Sequence, residues 1–203
     1  MDVHYIIFAL SGVALITSIL LYLFNRTKET AIIMGGMILA SLGVFSWTWA
    51  THLWMHLGVP KQDVMIYNHL GYLLLALGLL AFMYSIYSVT GNKKLFEAVV
   101  GFFILALIFK YGGLAIGNRE ISKLSHIVYG IPTFLIALYS AYEIYKEAKD
   151  VPGTIMALAF AFFALTFTAH HFLTPFNALL LDSIALILVS ASAIVAVKVL
   201  SSA

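Results

Sequence analysis

The chain contains no cysteine. That excludes disulfides, thiol catalysis, iron–sulfur ligation and covalent c-type haem, which needs a Cys-x-x-Cys-His run. Charge is nearly as scarce. Eleven lysines and arginines and nine aspartates and glutamates make up 10% of 203 residues. A soluble domain carries about a quarter charged residues, so this chain cannot cover a water-facing surface. Its net charge of +2 brings no basic stripe or motif that would point to nucleic acid. What is present is apolar: 63% hydrophobic residues and a mean hydropathy of +1.02. The sequence describes an integral membrane protein whose first partner is the lipid bilayer. At about 20 residues per spanning helix, this length holds seven or eight spans at most. No room remains for a soluble catalytic domain, so any chemistry sits inside the bundle or at its rim.

Seven apolar segments stand out, at about residues 3–24, 31–58, 64–90, 95–117, 121–145, 154–173 and 177–200. Polar breaks such as Asn25-Arg26-Thr27-Lys28-Glu29 and Gly91-Asn92-Lys93-Lys94 separate them. A lipid-exposed strand with open edges cannot exist at membrane depth. The expected fold is therefore an all-α, seven-transmembrane-helix bundle, a single polytopic domain over residues 1–203. Asp2 stands where a cleavable signal would place basic residues. Lysine and arginine sort by side: Arg26, Lys28, Lys93, Lys94, Lys146, Lys149 and Lys198 against Lys61, Arg119 and Lys123, with Lys110 inside span four. By the positive-inside rule, the N-terminus is expected outside and the C-terminus in the cytoplasm of a multi-pass cell-membrane protein.

An offset of 57 residues aligns His69 with His126, Tyr72 with Tyr129, and His56 with Gly113 and His170. It is compatible with three helical hairpins plus one helix, although short apolar helices also match one another by composition. The histidines carry more information. His52 and His56 close span two, His69 and His126 open spans three and five, and His170-His171 ends span six. His4 opens span one, and Asp182 lies about one and a half turns into span seven. All seven histidines and this acid thus share the outer third of the bundle. Polar groups inside spans are costly and face the interior or a cavity, which favours a functional layer. An interfacial side chain that snorkels is the preferred reading for His4 and for one of His170 and His171, since adjacent helical residues point about 100° apart.

Several imidazoles at one depth suit three chemistries. The expectation drawn first is a b-type haem, because membrane b-type cytochromes hold haem with histidines from separate helices, and this arrangement is similar in kind. The axial set is His56, His69, His126 and His170, with His52 and His171 in reserve. Gly58, Gly71, Gly112, Gly113 and Gly130 would let a macrocycle approach the backbone, and Arg119, Lys123, Lys61 and Lys110 would meet its propionates. Such a protein would pass electrons between an external donor and a quinone or a partner membrane subunit. Trp47, Trp49 and Trp54 read as an interfacial aromatic belt. Lys110 either snorkels or pairs with Asp182 or a propionate.

The alternative is an intramembrane zinc hydrolase, with His56, His69, His126 and His170 as metal ligands and Asp182 as orienter or general base. In span count the chain is similar to the progestin-and-adipoQ-receptor and alkaline-ceramidase types of zinc hydrolase. Those families carry a His-x-x-x-His in the last span, where this chain has no histidine, so the likeness implies no ligand. His52-x-x-x-His56 has metal-binding spacing but lacks the glutamate of the His-Glu-x-x-His proteases. A retinal protein is disfavoured because Lys198 sits at the far edge of span seven. A through-membrane transport path is disfavoured because the cytoplasmic half offers only Glu97 and Glu143 near helix ends. Gly35, Gly36 and Gly43 read as close helix packing.

Overall fold

Helix starts are set by side chains able to satisfy first-turn amides, and in the computed structural model these capping residues are the polar breaks themselves. The structure describes residues 3–170 and 172–201. Thr27 Oγ1 accepts the Thr30 N–H, Asn92 Oδ1 that of Leu95, and Asp150 Oδ1 that of Gly153. Asn118 Oδ1 takes two amides, those of Glu120 and Ile121. The charged residues just after Thr27, Asn92 and Asn118 therefore join the first helical turn, and these helices start a few residues before their apolar runs. The described helices are α1 (Val3–Phe24), α2 (Lys28–His56), α3 (Met65–Thr90), α4 (Lys93–Ala115), α5 (Arg119–Glu143), α6 (Val151–Ala169) and α7 (Pro175–Ser201). A π-helical turn, Ile144–Ala148, extends α5. Gly91 and Gly117 stop α3 and α4 with φ of +69° and +71°, a left-handed backbone that side chains disfavour.

All seven helices are long and apolar enough to cross a membrane, as a multi-pass bundle requires. Each packs on its sequence neighbours, α7 closes back onto α1, and α3 meets α6 across the middle. The α2–α3 pair is the tightest, whereas α4 leans mainly on α5. Hairpin units of spans one–two, three–four and five–six are thus not singled out by packing. The α2–α3 contact rests on backbone approach: a Cβ at Gly43 would sit 2.7 Å from Leu75 N, and one at Gly78 2.7 Å from Ala40 N. Gly36 belongs to the same seam, while Gly35 faces open space. The core runs along α6, where Phe160, Phe163 and Phe167 are fully buried. Phe82 of α3 stacks on Phe160 at 4.1 Å between ring centroids. Hydroxyls inside the helices, such as those of Ser18, Ser140 and Ser190, donate to the carbonyl four residues back. That answers their need for a partner in an apolar medium.

Candidate metal centre and a buried polar layer

The antiparallel turn between α1 and α2 brings the start of α1 beside the end of α2. His52 and His56, one helical turn apart, share a face of α2. That face looks at α1, where His4 occupies the first turn. The three rings form a cluster with centroid separations of 5.5 Å (His4–His52), 5.0 Å (His4–His56) and 5.1 Å (His52–His56). One ring nitrogen from each lies within 4.8 Å of the others. Nitrogens around a tetrahedral zinc, at about 2.0–2.1 Å from the ion, stand about 3.3–3.4 Å apart. His4 and His52 are buried, whereas His56 is exposed, so the group lies at the rim of the bundle. Tyr5, Phe8 and Trp49 surround His52 with centroids 5.6–6.0 Å away. Their rings make an apolar wall behind the imidazoles.

The other expected ligands are placed elsewhere. His126, on α5, is 1% exposed and has both ring nitrogens engaged. Its Nδ1 lies 2.8 Å from the Phe167 carbonyl, which can only accept, so Nδ1 carries the proton. Its Nε2 lies 3.3 Å from Lys110 Nζ and accepts from it. Lys110 is turned into the bundle, buried, with its ammonium 4.7 Å from the centre of the Tyr72 ring. The lysine is therefore neither snorkelling nor paired with Asp182; its partner is an imidazole. His69, half-buried on α3, faces Tyr111 of α4 at 6.2 Å. His171 lies outside the described residues.

His170 caps the end of α6 and stands 4.2 Å from the Trp47 ring, centroid to centroid. Its Nε2 is 3.7 Å from Asp182 Oδ2. Asp182 is fully buried in α7, with the buried Thr166 as its other polar neighbour. Trp47 bridges the two histidines, 6.2 Å from the His126 ring on its other side. A lateral row results: Asp182, His170, Trp47, His126, Lys110. It places one acid and one base at opposite ends of a line of rings, and neither Asp182 oxygen has a hydrogen-bond partner among the described residues.

These positions revise several expectations. His4, read from the sequence as an interfacial side chain, is 5% exposed and belongs to the triad. Its nearness to the chain start hid it; the α1–α2 antiparallel register, which sets His4 level with the end of span two, is the signal that finds it. Trp47, assigned to the aromatic belt, is 4% exposed, and its indole N–H donates to the Asn68 carbonyl. Trp54 is exposed, with Lys61 Nζ 5.0 Å from its ring. Gly71, Gly113 and Gly130, expected to admit a macrocycle, are each filled from within the protein. A Cβ there would meet Trp47, the Ser122 amide and Thr168 respectively. Lys123 is drawn into an ion pair with Glu120 at 2.7 Å. No protein-family model, curated protein or solved structure matches this chain.

Proposed function

We propose that the chain is a membrane metalloprotein that binds one divalent transition-metal ion, zinc foremost, through His4, His52 and His56. The observation that carries this reading is the convergence of three imidazole nitrogens within 4.8 Å, from two helices, at the rim of the bundle. Three neutral imidazoles leave the ion its full charge and a coordination position for water, the donor set of hydrolytic zinc sites. Zinc held this way lowers the pKa of bound water to about 7, supplying a nucleophile at neutral pH. The exposed His56 gives that position access to a substrate at the membrane surface. We therefore favour a zinc-dependent hydrolase acting at the bilayer face. Asp182, paired with His170, is not assigned as its base. The lysine and arginine bias supports an orientation with the triad outside.

A zinc titration of chelator-stripped protein against a competing chromophoric chelator tests this. One tight site per chain is expected. Loss of an outer-shell partner weakens metal sites about 10–100-fold, so His52→Ala or His56→Ala is expected to exceed about 100-fold. His69→Ala is expected to leave the affinity unchanged. Equal affinity in all three variants would contradict the assignment. The b-type haem with quinone or subunit partners requires two of His52, His56, His69, His126 and His170 as axial ligands. At His126 an iron would displace Lys110 from Nε2. A Soret band and a reduced α-band at about 560 nm in purified protein would establish the haem and overturn the zinc reading.

A further inference from the structure

A cavity of about 710 Å³ lies at the end of the bundle opposite the triad, built from the tails of α1, α3, α5 and α7, the heads of α2, α4 and α6, and the π-helical turn. Its volume falls in the range of about 300–1,000 Å³ typical of small-molecule sites. The inner wall is apolar, with Leu21, Ile33, Phe82 and Met156. Ser85, 5% exposed, lines the cavity. Glu143 and Glu147 line the same cavity from the junction of α5 and the π-helical turn. Single π turns inside helices occur frequently at functional sites.

The electrostatics are one-sided. Among the described residues, no lysine or arginine lines the cavity. The two lysines of the adjoining segment are held on tyrosine rings, Lys146 over Tyr142 at 5.6 Å and Lys149 over Tyr145 at 4.7 Å. Asp150, the third carboxylate of the lining, is occupied as the cap of α6. Glu143 and Glu147 have no cationic side chain within ion-pair distance among the described residues. An apolar inner wall, with two carboxylates and the Ser85 hydroxyl also in the lining, matches a molecule with an apolar body and a positive head.

We propose that this cavity binds a single-chain amphiphile with an ammonium head, the tail against Leu21, Ile33, Phe82 and Met156 and the head between Glu143 and Glu147, with the Ser85 hydroxyl as a further polar contact. Anionic lipids and fatty acids are excluded by the sign of the rim. This site is separate from the triad and does not depend on the metal assignment. The full chain in zwitterionic-lipid nanodiscs, titrated with radiolabelled dodecylammonium, tests it. Saturable binding of one molecule per chain is expected, displaced by unlabelled dodecyltrimethylammonium and at least tenfold less well by dodecyl sulfate. Glu143→Gln and Glu147→Gln, singly and together, are expected to weaken binding at least tenfold in the double variant. Met156→Trp, which fills the chamber, is expected to abolish it. The melting temperature of each variant verifies that the fold is kept. Uptake no greater than in empty nanodiscs, equal displacement by the sulfate, or full binding by a folded double variant would each overturn the proposal.

Discussion

His126 and Lys110 show why residue types alone did not reveal the layout of the polar layer. Both were visible as intramembrane polar groups, and both are buried as such groups should be. Their pairing depends on which way α4 and α5 face; the small and polar residues of α5 recur at helical spacing on the face that holds His126, whereas α4 is too uniformly apolar to show where Lys110 points. The pair itself makes a prediction. Removing one partner of a buried hydrogen bond leaves the other unsatisfied, at a cost of about 1–3 kcal/mol and more where that group is charged. His126→Ala should therefore lower the melting temperature in detergent sharply, and Lys110→Met added to it should recover most of the loss; no recovery would show that the two are not coupled. Glycines offer a second residue-scale contrast. Gly43→Ala and Gly71→Ala drive a methyl against Leu75 and Trp47, an overpacking cost of about 1–3 kcal/mol. Gly35→Ala and Gly112→Ala meet nothing within 4 Å and gain helix propensity. Thermal melts should separate the two pairs, and an equal loss in all four would refute the packing read at the α2–α3 seam.

Element by element, much more of the fold was legible. Seven apolar runs became seven helices because their length matches the bilayer core and a helix satisfies every backbone polar group within its own segment. Boundaries moved only where capping chemistry overrode hydropathy. Thr27 pulled Lys28 and Glu29 into α2, and α6 ended at Ala169, short of the apolar run that continues to Leu173. The gathering of histidines at one end was also legible, since each sits near a helix terminus of known direction. What sequence could not supply was their division. Helix rotation sends His52 and His56 toward α1, His126 toward α6, and His170 toward α7. One expected layer of ligands thereby becomes a rim triad and an interior row. His4 passed from the margin to the centre of the site for the same reason, as the only histidine α1 presents to α2.

For the molecule as a whole, the arrangement is polar at two ends and sparing between them. A three-imidazole group marks the end where α1 begins, and a carboxylate-lined cavity marks the other. The absence of cysteine makes orientation directly testable. In intact cells, Lys61→Cys should react with a membrane-impermeant maleimide and Lys93→Cys should not, and the reverse pattern would place the triad on the cytoplasmic side. His4, His52 and His56 are proposed to hold a metal together. Zinc K-edge X-ray absorption on the zinc-loaded protein tests it most directly. The prediction is three imidazole nitrogens at about 2.0–2.1 Å with one oxygen, retained in His69→Ala and reduced by one imidazole in His4→Ala. A first shell without imidazole, or one unchanged by His4→Ala, would contradict it.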